Sequence, residues 1–288
     1  MGGQHSFLFV PADRPDRLGK ALAGRADAVI VDLEDGVAPE SKAGARDAVL
    51  QFFETHPPQR NDGKLLVLRM NDTAGVYFAD DLALALQLPV HALMIPKCES
   101  PEDVASAKNW NGEIIPLIES ARGLHQAERI LLSDQRVRRA AFGAVDFALD
   151  LGVQWSPGGM ERAYAMGHIA TLSRALGCQP PIDAVFPEFN DQTAFTEDAL
   201  RGKQLGFGGK MAIHPRQIEW LEQIYRPLTA QIEWAKRVIQ AARKSTSQGA
   251  FQLDGKLIDR PIIQLAERVL ASNKNKSEGV AAPQENGT

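Results

Sequence analysis

Short apolar runs that stop abruptly at a charged residue recur along this chain, and they restrict its fold more than any other feature. Ile114-Ile115-Pro116-Leu117-Ile118 ends in Glu119 and is followed at once by Ser120-Ala121-Arg122-Gly123. An apolar run of that length reads as a strand buried on both faces, as in a parallel sheet. A carboxylate is costly to bury unless it is paired, hydrogen-bonded or metal-bound, so this strand presents Glu119 to something. Ala28–Leu33 likewise leads into Glu34-Asp35, Ala140–Val145 into Asp146, and Leu65–Leu68 into Arg69. Strands that deliver charge to one common end describe the mouth of a site.

Strands are expected at Phe7–Pro11, Ala28–Leu33, Leu65–Met70, Ala92–Pro96, Ile114–Ile118, Arg139–Phe142, Ile182–Phe186 and Lys210–Ile213. Helices are expected at Arg17–Ala23, Lys42–Glu54, Tyr77–Leu86, Gly123–Leu132, Met160–Leu176 and Glu197–Leu205, and from His214-Pro215 to Ile224. Ser100-Pro101-Glu102-Asp103 opens another, with Pro at the first helical position and acids in the first turn. His56–Gly63 reads as a polar linker and Phe147–Gly158 as a longer excursion. Strand and helix in eightfold alternation predict an α/β fold, a (β/α)8 TIM barrel with its site at the C-terminal face. A doubly wound open sheet is the competing arrangement, weakened because no GxGxxG follows the first strand.

The 288 residues exceed what one barrel needs. Residues 1–230 are expected to form the barrel and 231–271 a C-terminal helical arm that packs on a neighbouring subunit or closes over the site. Within the arm, helices at Gln231–Arg243 and Ile262–Leu270 flank a hairpin-type turn at Gly249–Lys256. Residues 272–288 are polar, low in aromatics and expected to be a flexible tail. A net charge of −4 with no basic run argues against nucleic-acid binding. No apolar run approaches the ~18 residues of a membrane span, and Met1–Ser6 shows no signal peptide. Cys98 and Cys178 lie in no CxxC motif, as expected of a reducing, cytoplasmic setting without disulfide or zinc framework.

Glu119 and Asp146 close neighbouring strands, and two carboxylates one strand apart can share a hard divalent cation completed by water and substrate oxygens. The alternative is that each caps a helix or pairs with a loop arginine such as Arg122. Arg69 points into the same mouth, where its planar fork suits a carboxylate or a developing enolate oxygen; otherwise it pairs with Glu34 or Asp35. Those two acids could also hold metal-bound water. Arg14, Arg17 and Lys20 follow the first strand and suit phosphates, or form a solvated helix face. His214 reads as a base or as a structural hydrogen-bonding group before Pro215. Lys97 could form a Schiff base, but the acid-rich mouth favours metal chemistry.

Phe9-Val10-Pro11-Ala12-Asp13-Arg14-Pro15-Asp16-Arg17 and Asp32-Leu33-Glu34-Asp35-Gly36-Val37-Ala38-Pro39 resemble the citrate lyase β-subunit-like (CitE-like) proteins of the HpcH/HpaI aldolase family. Arg69-Met70-Asn71, Pro96-Lys97, Ile118-Glu119-Ser120, Phe142-Gly143-Ala144-Val145-Asp146 and Lys210–Pro215 extend the likeness to about Leu270. The resemblance implies a Mg²⁺-dependent lyase that cleaves a C–C bond in a malyl-, citramalyl- or citryl-CoA thioester, giving a small 2-keto acid and acetyl-CoA. Glu119 and Asp146 would then be the metal ligands, Arg69 the group that binds and polarises the keto acid, and Glu34 and Asp35 the lining of the metal-water shell. Arg14 and Lys20 would lie near the CoA, and Gly143 and Ala144 beside the substrate. Asp259, in Leu257-Ile258-Asp259-Arg260-Pro261, would be the acid/base that reaches in from a neighbouring subunit of a homotrimer. Other subunits of a citrate lyase complex are candidate partners. Glu188 and Phe189 depart from the family pattern where the acyl group would pass. Alternatives are a pyruvate-type aldolase on free hydroxy-keto acids, a malyl-CoA thioesterase, or a non-catalytic acyl-CoA-binding subunit.

Overall fold

The structure, a computed structural model, describes residues 3–57, 63–244 and 249–277. The chain divides into two compact units, Met1–Gln223 and the part from Ile224 onward. In chain order the first unit begins with β1 (Ser6–Pro11), α1 (Pro15–Ala23), β2 (Ala28–Asp32), α2 (Lys42–Thr55), β3 (Leu65–Arg69), α3 (Phe78–Ala85) and β4 (Ala92–Ile95). It continues with α4 (Pro101–Ala105), β5 (Glu113–Ile118), α5 (Ala121–His125), α6 (Ala127–Leu132), β6 (Ala141–Phe142), α7 (Ala144–Asp150) and α8 (Met160–Ala175). It closes with β7 (Ile182–Asp183), α9 (Gln192–Leu205), β8 (Gly209–Ala212) and α10 (Pro215–Tyr225), whose last turn crosses the unit boundary.

β1 to β8 form a closed parallel barrel in sequence order, with β1 also pairing β8. The expected TIM-barrel architecture is therefore present. Every residue of β2 and β5 is buried, as the unbroken apolar runs require. Alternate residues fill the interior as one cluster, among them Phe7, Ile30, Val67, Met94, Leu117 and Met211. Outside β7 and β8, fully buried Lys210 bonds Asp183 at 2.8 Å and Asp198 at 2.7 Å. Asp198 also meets Arg162 of α8 at 2.5 Å, so one buried ionic cluster joins two strands to two helices.

Several expected boundaries move, each for a local reason. β7 stops at Asp183, not Phe186, because the N–H of Ala184 is bonded by Asp183 Oδ1 at 2.8 Å. α9 starts at Gln192, not Glu197, because Asp191 accepts from the N–H of Ala194 at 2.9 Å and so caps the helix earlier. β6 is limited to Ala141–Phe142, short of the expected start at Arg139. The excursion expected from Phe147 opens instead as α7, placing Asp146 in that helix's first turn and not at the strand tip.

The second unit holds α11 (Thr229–Lys244), an antiparallel pair β9 (Phe251–Leu253) and β10 (Lys256–Ile258), and α12 (Arg260–Ser277). The expected hairpin turn is Asp254-Gly255, with φ of 51° and 75°. Ala235 and Val238 pack with Ile258 and Ala266 in a core of its own. α12 runs through Ser277, so the expectation of a flexible tail from Ser272 does not hold for its first residues; residues 278–288 lie outside the described residues, as does part of the expected linker, residues 58–62.

Candidate active site

Strand alternation carries three side chains from the core to the mouth. Ala28 and Ile30 pack inside the barrel, so Asp32 follows on the same side of β2; Leu65 and Val67 place Arg69, and Ile115 and Leu117 place Glu119. Asp32 and Arg69 are register partners at the ends of β2 and β3. Arg69 donates through Nε and Nη2 to the two oxygens of Asp32, at 2.7 and 2.8 Å, and its Nη1 meets Glu34 Oε2 at 2.8 Å. The N–H groups of Glu34 and Gly36 add bonds to Asp32, both of 2.9 Å. A Cβ at residue 36 would collide with Asp32 Oδ2, so only glycine lets the loop close on that carboxylate. Burial opposes the Arg69 charge, but the hydrogen bonds and charge of Asp32 outweigh it and hold the guanidinium above its ordinary range. Sequence reasoning names Glu34 and Asp35 as partners of Arg69. The structure keeps Glu34, gives Asp35 no ion pair among the described residues, and adds Asp32, which an apolar-run pattern absorbs into its strand.

Lys97 lies just past β4 with a left-handed φ of 49°. Its N–H donates to Glu119 Oε1 at 2.6 Å, and its Nζ meets Glu34 Oε1 at 2.9 Å. The hydrogen bond to Glu34 raises the Lys97 pKa, which favours the ammonium over the neutral amine that a Schiff base needs. Burial raises the Glu34 pKa although Arg69 and Lys97 resist it. Glu119 is 5% exposed. Burial first, then the charge of Glu34, with a smaller part from Asp146, pushes its pKa up to about 8.

The structural alternatives for Glu119 fall away. Ser120 caps α5 by accepting from the N–H of Gly123 at 3.0 Å, and Arg122 reaches Glu99 at 3.8 Å instead. A Cβ at Gly143 would strike Glu119 Oε2, so glycine there leaves that oxygen its place; Ala144 behind it is buried. Half-buried Asp146 has no hydrogen-bond or ion-pair partner among the described residues and lines the main cleft, as does Asp35. Two carboxylates without ion pairs of their own, one pushed towards protonation, form a donor set that a hard divalent cation would neutralise. Among the described residues no group of three His, Cys, Asp or Glu is placed to hold an ion, so water and substrate oxygens would have to complete its shell.

A cleft of about 1030 Å³ leads from Asp32, Arg69 and Asp146 over the ends of β1 and β8, lined by residues of α1 and α10. Arg17 and Lys20, neither of them in an ion pair among the described residues, line it together with Arg25, which pairs with Glu222. Arg14 is not in the lining and turns onto Asp16 at 3.1 Å. His214 lines the cleft, and its Nδ1 accepts from the N–H of Arg216 at 3.1 Å. Phe189 stacks on that ring at 5.3 Å. Pro187 lines the cleft whereas Glu188 and Phe189 do not. Asp259, in the second unit, caps α12, its Oδ1 accepting from the N–H of Ile262 at 3.2 Å.

The family model described as HpcH/HpaI aldolase/citrate lyase matches residues 5–215. The citrate lyase subunit beta of Haemophilus influenzae is 34% identical, over 94% of this chain and 97% of its own. A (3S)-malyl-CoA thioesterase of Cereibacter sphaeroides is 30% identical, over 96% and 95%. The crystal structure of protein CitE from Mycobacterium tuberculosis in complex with magnesium, acetoacetate and coenzyme A superposes with a TM-score of 0.81 at 32% identity, covering 94% of this chain and 98% of that one.

Proposed function

The chain belongs to the HpcH/HpaI aldolase/citrate lyase family, and from that premise we propose that it is a Mg²⁺-dependent lyase. Its substrate is a 3-hydroxyacyl-CoA thioester of the malyl, citramalyl or citryl type, cleaved to a 2-keto acid and acetyl-CoA. The observation that carries this reading is the cleft itself: an acidic inner end around Arg69 and an outer stretch bearing Arg17, Lys20 and Arg25. A substrate with a short acid at one end and phosphates at the other matches that polarity. Glu119 and Asp146 would hold Mg²⁺, which stabilises negative charge on the keto-acid oxygens when bound.

Arg69, fixed and kept charged by Asp32, offers its remaining N–H groups to the keto acid's carboxylate. Glu34 and Asp35 would line the water around a bound metal, without touching the cation, and orient that water. When the 3-hydroxyl passes its proton to the carboxylate of Asp259, the O–H pair becomes the new carbonyl bond and the C–C pair moves onto the thioester as an enolate. Asp259 of a neighbouring copy, in a homotrimer, then protonates the enolate carbon. Gly143 and Ala144 give the substrate close backbone approach beside Glu119, while Lys20, and not Arg14, meets the CoA phosphates. Both cysteines are free thiols, in keeping with work in the cytoplasm.

A thioesterase is the second reading, favoured by the malyl-CoA thioesterase relative. Purified protein given malyl-, citramalyl- and citryl-CoA separates the two. Release of keto acid, stopped by EDTA, is the expected result; free thiol appearing without keto acid would replace the lyase by a thioesterase. Silence on all three would overturn both.

A further inference from the structure

Lys97 is the point where the mouth's polar groups meet. Its amide N–H holds Glu119 Oε1 at 2.6 Å, and its ammonium holds Glu34 Oε1 at 2.9 Å. Through Glu34 the contact passes to Arg69 and then to Asp32. The residue adopts a φ of 49°, a conformation that L side chains avoid and glycine accepts. Among the described residues the other non-glycine with positive φ is Asp254, in a hairpin turn. A turn explains Asp254. Lys97 sits instead at the end of a barrel strand, where an unusual backbone angle persists only if the surroundings hold it.

That angle has a visible use. The next amide, of Cys98, bonds the carbonyl of Leu117 on β5 at 3.2 Å. The left-handed turn at Lys97 therefore lets two successive amides serve β5 differently, one its acid and the next its backbone. The Lys97 side chain is 47% exposed, against 5% for that of Glu34, so the ammonium reaches inward from the rim and is the accessible partner of a buried acid. Had the position been glycine, the amide would be kept and the ammonium lost. Had it been β-branched, neither would survive.

We propose that Lys97 is a positioning residue with two separate tasks: its left-handed amide fixes Glu119 for a divalent cation, and its ammonium keeps Glu34 against Arg69 and away from that cation. The proposal rests on the metal site of the lyase reading. Glu34 released from Lys97 becomes free to compete for the cation, and Arg69 loses the neighbour that shares its Nη1. The backbone task is thus read in metal affinity, and the side-chain task in how the keto acid is bound.

Calorimetric titration with Mg²⁺ alone tests the first task, using the parent, Lys97→Gly, Lys97→Val and Glu119→Gln. Lys97→Gly is expected to bind Mg²⁺ at least as tightly as the parent, since a positive charge is gone and the amide stays. Lys97→Val should bind at least tenfold more weakly than Lys97→Gly. Equal binding by these two overturns the backbone task. Should Lys97→Val fail to fold, Lys97→Ala replaces it and must fall below Lys97→Gly by a measurable margin. The second task predicts that Lys97→Gly raises KM for the thioester at least fivefold and that Lys97→Arg restores it; unchanged KM overturns it. No Mg²⁺ binding by the parent, or full binding by Glu119→Gln, removes the metal assignment itself and Lys97's role with it. A loss confined to the Lys97 variants cannot be mistaken for that.

Discussion

At the residue scale, the burial of Glu119 has the widest reach. Its folded pKa of about 8 stands against 4.5 for the free side chain. Between those values the folded protein keeps a proton that the unfolded chain has released, so this group costs metal-free stability as pH rises through that window. As the proposed ligand of Mg²⁺, Glu119 would bind it ionised, and binding would remove the penalty. The rise in Tm produced by a fixed Mg²⁺ concentration should therefore grow from about pH 6 to about pH 8.5 and then level off. Glu119→Gln should abolish both the pH trend and the shift; a shift that persists undiminished in Glu119→Gln would rule out Glu119 as the ligand. Glu119 and Arg69 were legible in the sequence because each ends an apolar run. Asp32 was not, since it sits inside the run Asp32-Leu33-Glu34-Asp35 and only register shows that it faces Arg69. Arg14 shows the opposite case: its motif matches, and its side chain pairs with Asp16 at the surface.

Long apolar strands are legible in the sequence and two-residue strands are not, while helix ends shift even in long helices, as at the start of α9 and at both ends of α12. The apolar strands β2, β3 and β5 declare themselves by burial on both faces, whereas β6 and β7, two residues each, leave no periodicity to detect. α7 escaped notice because seven residues span barely two turns. What fixes the β7–β8 side is the buried ionic cluster, and it makes an element-scale prediction. Lys210→Met should leave Asp183 and Asp198 facing each other with Arg162 as the main remaining counter-charge. Removing one partner of such a cluster costs about 3–5 kcal/mol, or a fall in Tm on the order of 10 °C for a domain of this size. The deficit should shrink in mild acid, where the two aspartates take up protons in the folded variant. A melting point within a degree or two of the parent would show that the cluster is dispensable.

For the whole molecule, the barrel was legible from eightfold alternation, and the second unit from the length left over. The task proposed for that unit rests on family resemblance alone, because Asp259 carries no local signal beyond a helix cap. The cap complicates its test, since Asp259→Ala would remove the bond to Ile262 at a cost of about 1 kcal/mol. Asparagine caps equally well. Asp259→Asn is therefore expected to melt with the parent, bind the keto acid with unchanged affinity and turn over at least a hundredfold more slowly. Parental turnover would return the proton transfer to the barrel.

The polar path Asp32, Arg69, Glu34, Lys97, Glu119 has a last consequence, for barrels assembled by recombining halves. It begins on β2 and ends after β5, so an exchange of halves between β4 and β5 cuts it at the contact of Lys97 with Glu119. A crossover after β5 moves it whole. Chimeras with relatives of different specificity should accordingly keep the path whole when the junction follows Glu119, and they take both proposed metal ligands from the parent of that path only when it also follows Asp146.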